Sequence, residues 1–412
     1  MSKKSRDLMA LMPPQISTLL QYTGRLARER NECVYLVGGA VRDLLLGQSS
    51  SDIDLVVEGK AISLARQIAY HHDLYVKPHP RFGTAKLSWG DYTFDLVTAR
   101  SEVYRRPGAL PEVQHGTIYD DLARRDFTIN AMAVSLAPNS LGELLDPHGG
   151  QSDLENKLIR ILHPGSFVDD PTRILRAIRY EQRLGFHLES STERLLRRDS
   201  DRFDTVSGER LWREIELILQ EREPEEILLT GDQAGIIQRL CPVLKIDLWL
   251  ADKFSQARQI VDDQDHLPSV YLSMLSYRLE KSETESFIGR FKMPGWAASI
   301  VRNTLRIHKS LDFIRSSEIF RSQIYNQLRY HKPEVIKAAS LCSESPLLRT
   351  RLNLYLQVLR YIEPELKGED LIMMGVTPGE HFGEILRQLQ EAKIDRKINT
   401  REEEEALVRG IL

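Results

Sequence analysis

The stretch Leu36-Val37-Gly38-Gly39-Ala40-Val41-Arg42-Asp43, followed after a short loop by Ser51-Asp52-Ile53-Asp54-Leu55, decides how this chain is read. Two glycines make a turn that lets backbone amides approach a phosphate closely, and the helix that follows points its positive end the same way. Side chains alternate along a strand, so Asp52 and Asp54 leave from one face while Ile53 enters the core. Two neighbouring carboxylates aimed one way repel each other unless a cation lies between them. Hard oxygen donors of this kind suit Mg²⁺, and such sites support in-line attack on a nucleotide phosphate. Arg42 after the turn has two readings, a phosphate contact or an ion pair with Asp43. Asp95, in Phe94-Asp95-Leu96-Val97, is either a third carboxylate of the site or a structural one.

Outward from this point, the first part of the chain reads as mixed α/β. A helix over 15–30 leads into a strand at 33–37; a strand follows at 52–58 and a helix at 61–71. Thr84 to Trp89 and Tyr92 to Thr98 alternate as a hairpin about Gly90-Asp91. Residues 101–119, with Pro107, Gly108 and Pro111, lack periodicity and read as a mobile loop. Residues 121–136 read as mostly helical, and a last strand is expected near 158–161. After His163-Pro164-Gly165 strand signals nearly vanish. Helical periodicity then runs to the end, broken by prolines from Pro224 to Pro378.

At 412 residues the chain is long for a single core. Its 42% hydrophobic content is that of an ordinary globular protein, and no apolar run approaches the ~20 residues of a bilayer span. The opening Met1-Ser2-Lys3-Lys4-Ser5-Arg6 and the short apolar run behind it do not make a signal peptide, so a cytoplasmic setting is expected. Three scattered cysteines support neither a disulfide framework nor a zinc site. The net charge of −3 does not decide about nucleic acid, because local charge matters more than the sum. Arg401-Glu402-Glu403-Glu404-Glu405 reads as a solvated helix face. His71-His72-Asp73 and the segment from Asp262 to His266 imitate metal motifs but lack partners.

Four motifs, in order, resemble class II tRNA nucleotidyltransferases of the CCA-adding enzyme and poly(A) polymerase family. They are Gly38-Gly39-x-x-Arg42-Asp43 with Asp52-x-Asp54, then Arg124-Arg125-Asp126-Phe127-Thr128-Ile129-Asn130-Ala131, then Asp169-Asp170-Pro171-Thr172-Arg173, and Gly208-Glu209-Arg210. Together they span about half of the chain. The rest is similar only in its helicity and in Gly375-Val376-Thr377-Pro378-Gly379. The resemblance implies an α+β fold with a small polymerase β-like head (1–164), a helical neck carrying the nucleotide-selecting motif (165–235), a helical body (236–355) and a helical, tRNA-binding tail (356–412), the helical part elongated.

It also implies a template-independent transferase that builds or repairs all or part of the tRNA CCA 3′ end from CTP and ATP with Mg²⁺. Poly(A) synthesis and partial CC- or A-addition are its nearest alternatives. A small-molecule nucleotidyltransferase and a non-catalytic RNA-binding protein are the more distant ones. On this reading Asp52 and Asp54 are catalytic and hold the metal, and Gly38, Gly39 and Arg42 meet the phosphates. Arg125, Asp126 and Asn130 hold the nucleotide's ribose and phosphates. Asp170 and Arg173 lie three apart on one helix face. A carboxylate accepts from the exocyclic amine of cytosine or adenine, and a guanidinium donates to the adjacent ring nitrogen. The family uses such a pair as an amino-acid template. Asp170 before Pro171 is also a good helix cap, in which case either Asp169 caps or this reading of specificity fails. Arg176, Arg179 and Arg183 follow on the same helix, aimed at triphosphate or RNA, or else at surface acids such as Glu181. The loop 102–114, with Tyr104, Arg105 and Arg106, resembles the family's lever between C and A addition.

Overall fold

The computed structural model describes residues 8–411 except 104, 262–265 and 378; the side chains of Phe82 and Glu380 also lie outside the description. The expectations for Tyr104, for Asp262 to Asp265 and for Pro378 therefore fall outside the described residues. The chain divides into two compact units, Met1–Ser207 and Gly208–Leu412.

Among the described residues, nine strands of the first unit make up two of its sheets, one of seven strands and one of two. These are β1 (Cys33–Val37), β2 (Asp52–Glu58), β3 (Tyr75–His79), β4 (Thr84–Trp89), β5 (Tyr92–Thr98), β6 (Arg100–Val103), β7 (Glu112–His115), β8 (Ala133–Ser135) and β9 (Leu144–Leu145). The large sheet runs in the order β3-β4-β5-β2-β1-β8-β9. Within that sheet, among the described residues, β2 and β5 are the one pair that runs parallel, with Asp54 opposite Asp95. The α-helices described there are α1 (Pro14–Glu29), α2 (Gly39–Leu45), α3 (Ala61–His72), α4 (Ile118–Ala123), α5 (Gly150–Glu155), α6 (Ser166–Asp169), α7 (Thr172–Leu184) and α8 (Ser190–Asp199). Ile53, Leu55 and Val57 are buried on one face of β2. On the face shared by Asp52 and Asp54, Val56 packs with Ile118 and Leu122 of α4, so the carboxylates stand beyond the end of a small core.

Two segments differ from the periodicity reading. Residues 101–119 are not irregular: β6 and β7 form an antiparallel ribbon pairing Arg100 with His115 and Val103 with Glu112. Every β7 residue is exposed, and a strand without a buried face leaves no hydrophobic alternation to read. Residues 121–136 are not one helix either. Helix α4 ends at Ala123, Phe127 is extended and bridges to Ile161, a 3₁₀ turn covers Thr128–Asn130, and β8 then pairs with β1. Almost all of these residues are buried, and a segment enclosed on every side loses the polar face that separates helix from strand. Near 158–161 a short strand does form, Leu158–Ile159, paired in parallel with His187–Leu188.

The second unit is helical throughout its described residues, from Gly208–Leu219 to Arg401–Ile411. Pro224, Pro333 and Pro346 stand in first turns, where a missing N–H costs nothing. The C-terminal helices enclose a core of Leu366, Leu371, Val376, Ile385, Leu389, Ile398 and Val408. The acidic run at 402–405 is not wholly solvated. Glu404 is buried, accepting from the Leu366 amide at 2.8 Å and from Lys393 Nζ at 2.6 Å. Burial opposes its charge, but these donors hold its carboxyl below the usual range. Among the described residues no helix is long and apolar enough to cross a membrane.

Candidate active site

A cleft of about 410 Å³ opens in the first unit, lined by Gly39, Asp54, Glu102, Arg124, Arg125, Asp126, Asn130, Asp170, Arg173, Arg176 and Tyr180 among others. Eight of these are residues singled out by sequence. They come from the start of α2, from β2, from the α4–β8 connection and from α7 with the residues just before it, so the fold gathers segments more than a hundred residues apart.

The glycine turn sits where the motif places it. Gly38 has φ 72° and ψ −136°, a conformation that a side chain disfavours, and caps α2. A Cβ built there would lie 2.6 Å from Arg125 Nη1 and 3.6 Å from Asp54 Oδ2. The missing side chain thus leaves room for a guanidinium beside the catalytic-type carboxylate. Arg125 Nη2 donates to buried Asp121 Oδ2 at 3.0 Å, and its buried Nε has no hydrogen-bond partner among the described residues.

Asp52 and Asp54 share a face, as alternation requires, but their surroundings differ. Asp52 is exposed and accepts from Thr93 Oγ1 at 2.5 Å. Asp54 is partly buried, and its carboxyl is raised above the ordinary value by burial first; Arg125 opposes this, while Asp95 and Asp52 add to it. A cation between the carboxylates would relieve that repulsion, so the donor set suits a hard divalent ion. Asp95 points elsewhere in its bonding: it pairs with Lys86 Nζ at 3.2 Å. Among the described residues no group of three or more His, Cys, Asp or Glu side chains is arranged to hold a metal. A two-carboxylate site is still the usual form for Mg²⁺, which takes its remaining ligands from substrate phosphates and water.

Behind the carboxylates runs a buried polar network. Asp126 Oδ2 accepts from Arg176 Nε at 2.9 Å and Nη2 at 2.5 Å, while Oδ1 accepts from Asn130 Nδ2 at 3.0 Å. Burial alone would raise the Asp126 carboxyl, but the Arg176 charge and these hydrogen bonds lower it to about 2. Asn130 Oδ1 in turn accepts from Arg42 Nη1 at 2.7 Å. Arg42 is found in the second of its two readings, paired with Asp43. It is 3% exposed, bonded to Asp43 and Asn130, and does not line the cleft. The competing ion-pair reading is the one the structure carries, because α2 turns this side chain inward against the 3₁₀ segment.

Helix α7 supplies the other wall. Asp170 does cap it: Oδ1 accepts from the Thr172 amide at 3.1 Å and the Thr172 hydroxyl at 2.6 Å. Asp169 faces His163 instead, at 3.7 Å. The cap engages Oδ1, one of the two oxygens of this carboxylate. Arg173 is buried, with Nη1 donating to Ser166 Oγ at 2.6 Å and Nη2 to the Arg124 carbonyl at 2.8 Å. Arg179 is buried as well, while Arg183 is exposed.

Sequence reasoning missed Tyr180, Asp121, Glu102 and Ser166. The Tyr180 ring is met by the guanidiniums of Arg42, Arg176 and Arg179 at 5.3, 5.6 and 5.2 Å, with Phe127 edge-on at 5.8 Å. Its place one turn beyond Arg176 was the available signal. Asp121 is fully buried and holds both Arg124 and Arg125, a pairing that the three- and four-residue spacing announces. Glu102 and Ser166 act over long sequence distances and leave no local mark. Of the segments that imitate metal motifs, His71 and His72 pack on Tyr22, and His266 faces Glu334 at 3.2 Å.

With this geometry in place, likeness to other proteins is informative. Residues 34–160 match the family model of the poly A polymerase head domain, and 185–248 match one described as "Probable RNA and SrmB- binding site of polymerase A". An A-adding tRNA nucleotidyltransferase of Aquifex aeolicus is 37% identical over 374 residues, covering 86% of this chain and 44% of that protein. The chain thus spans less than half the length of that relative. An A-adding tRNA nucleotidyltransferase of Halalkalibacterium halodurans is 34% identical over 385 residues, 89% of this chain and 86% of that protein. The chain belongs to the tRNA nucleotidyltransferase and poly(A) polymerase family. Nucleotidyltransferases of this family generally use divalent metal ions. A CCA-adding enzyme in apo form superposes with a TM-score of 0.78 at 32% identity, covering 99% of both chains. A Thermotoga maritima CCA-adding enzyme complexed with tRNA gives 0.71, again at 32% identity and 99% of both. A mixed α/β head followed by helices is the architecture of these nucleotidyltransferases.

Proposed function

We propose that this chain is a template-independent RNA nucleotidyltransferase that builds or repairs the CCA 3′ end of tRNA from CTP and ATP, with Mg²⁺, in the cytoplasm. One observation carries the reading: Asp54 stands beside the Gly38 turn and Arg125, at the edge of a cleft whose opposite wall holds Asp170, Arg173 and Arg176. Family membership and the tRNA-processing relatives support it.

On this proposal Asp52 and Asp54 hold Mg²⁺, which when bound supplies charge neutralisation at the transferred phosphate. Arg125, anchored by Asp121, offers its guanidinium to the triphosphate beside the amides of Gly38 and Gly39. Asn130 and Asp126 position the sugar end, and Arg176 keeps Asp126 ionised so that it remains an acceptor. Arg42 is a positioning residue that fixes Asn130. Asp170 presents a carboxylate acceptor and Arg173 a rigid donor plane to the base edge; Arg179 lies behind Tyr180. The division into head (1–164), neck (165–235), body (236–355) and tail (356–412) belongs to the same proposal. The helical part would hold the acceptor and TψC arms by shape and phosphates, as duplex RNA requires.

A-only addition is the second reading, favoured by the A-adding relatives. The deciding assay presents tRNA ending before CCA, after C and after CC, with each nucleotide alone and with CTP and ATP together. Growth of all three to CCA supports the main reading. Extension only of the CC-ended substrate identifies an A-adding enzyme, and a long A tail a poly(A) polymerase. No incorporation under any of these conditions refutes the proposal.

A further inference from the structure

Within the helical unit a cavity of about 540 Å³ is lined by Trp249, Tyr277, His308, Arg278, Arg315 and Glu344, among others. That volume falls within the range of small-ligand sites. We propose that it is a second nucleotide site, taking one unstacked nucleoside monophosphate unit with its base against the Trp249–Tyr277–His308 rings and its phosphate at Arg315.

The rings form a continuous series. Tyr277 is stacked with Trp249 at 6.5 Å between centroids and lies 4.7 Å from His308. His308 is fixed, Nε2 donating to the Tyr277 carbonyl at 3.0 Å. The Arg278 guanidinium lies 4.5 Å from the Trp249 ring and steadies it. Arg278 itself donates to both Asp247 oxygens, at 2.6 and 3.0 Å, and to the Lys245 carbonyl. It therefore holds the indole rather than a ligand. Pre-set aromatic faces are what an unpaired base needs, because every base has a π-face to stack.

The polar end has a different character. The Arg315 side chain is 62% exposed and faces Asp312 one turn away at 3.4 Å. Such a surface pair is worth little, so a phosphate displaces it at small cost. The twelve-residue helix Pro346–Gln357 starts at the same cavity, where Ser345 caps it, and adds its positive end. Glu344 at the rim is exposed and negative, which disfavours a second and third phosphate. The buried floor is apolar in effect: burial raises the Cys342 thiol to about 12 and keeps it neutral. The segment matching the RNA-binding family model ends at Leu248, next to Trp249, and its Asp247 caps the helix that carries the indole.

A free nucleotide and a nucleotide within RNA share this chemistry; the choice of RNA as source alone rests on the proposed function. The test is photo-crosslinking of the full chain with 8-azido-AMP and, separately, with CCA-less tRNA containing 8-azidoadenosine, followed by peptide mapping. Label on peptides bearing Trp249, Tyr277 or His308 is expected. Labelling by both probes marks a free-nucleotide site, and by tRNA only an RNA site. Trp249→Ala should weaken labelling on the order of tenfold, the loss of one base stack. Arg315→Gln, an exposed change that leaves the fold alone, should weaken it severalfold. Absence of label there from both probes, or label unaltered by both variants, overturns the proposal. Label there from a protein that incorporates no nucleotide would instead count against the transferase reading alone.

Discussion

Replacing Gly38 by alanine tests the junction between the phosphate turn and the carboxylates. Two costs are separable. The backbone at φ 72° and ψ −136° lies in a region that only glycine visits freely, and forcing alanine there costs about 1–3 kcal/mol. The new Cβ would also sit 2.6 Å from Arg125 Nη1, too close, so the guanidinium must move. Moving it loosens the 3.0 Å bond to Asp121 and takes away the positive charge that most opposes the raised carboxyl of Asp54. Arg124 still holds Asp121, so this second cost is roughly 1 kcal/mol. Gly47 is the control. It too has positive φ, at 74°, but nothing lies within 4 Å of a Cβ there, so Gly47→Ala carries strain alone. Urea unfolding of both variants, with and without Arg125→Ala, gives the comparison as a double-mutant cycle. The expected result is a Gly38→Ala loss of about 2–4 kcal/mol, partly relieved by Arg125→Ala, with nucleotide incorporation falling at least tenfold. Gly47→Ala should lose less and keep incorporation near the parent. Additive Gly38 and Arg125 effects, or full activity in Gly38→Ala, would refute the argued contact.

Three further outcomes are expected. Asp54→Asn should abolish incorporation yet leave the metal-free protein at least as stable at pH 7. A raised carboxyl penalises the folded state as pH rises through its pKa, and asparagine removes that penalty; lower stability of the variant in chelator would contradict this. Arg176→Ala should destabilise by roughly 2–4 kcal/mol near neutrality. Asp126 at about 2 stabilises above the unfolded value near 4, and that contribution is lost as pH falls towards 2, so the variant's loss should shrink on acidification; a pH-independent difference would count against it. Arg173→Ala should blur discrimination among the four nucleoside triphosphates in single-addition assays, and unchanged selectivity would remove it from base recognition.

The parts of the molecule legible in sequence are those where one physical pattern dominates. β2 alternates carboxylate and core residue, so its strand and the shared face of Asp52 and Asp54 were readable from seven residues. The hairpin β4–β5 and helix α7 were readable for the same reason, as were the family motifs that agree with the matched head domain. What escaped was held by distant or enclosing contacts. The ribbon β6–β7 has no buried face, the segment 121–136 has no exposed one, and Arg42 and Arg173 find their partners 88 and 49 residues away. Glu404 shows the same limit in the tail, where a run of acids conceals one that is wholly enclosed.

The enclosure of Arg173 bears on how a protein without a nucleic-acid template would choose a base. A guanidinium free to rotate would meet a donor or an acceptor edge equally well by swinging aside. Here two of its nitrogens are already committed, to Ser166 and to the Arg124 carbonyl, and Thr172 pins Asp170 through the helix cap. On the proposed assignment, a base presenting a carbonyl where an amine is wanted faces a carboxylate that cannot turn away. An unmet buried polar group costs about 1–3 kcal/mol, or roughly five- to 150-fold in rate. The hydroxyl of Ser166 is then as much a part of selection as the arginine it holds. Ser166→Ala would leave the charge and the cleft intact while freeing one end of the fork, so it should relax discrimination without a matching loss of the preferred reaction. A Ser166→Ala enzyme that keeps its selectivity but slows uniformly would show that this bond serves packing and not choice.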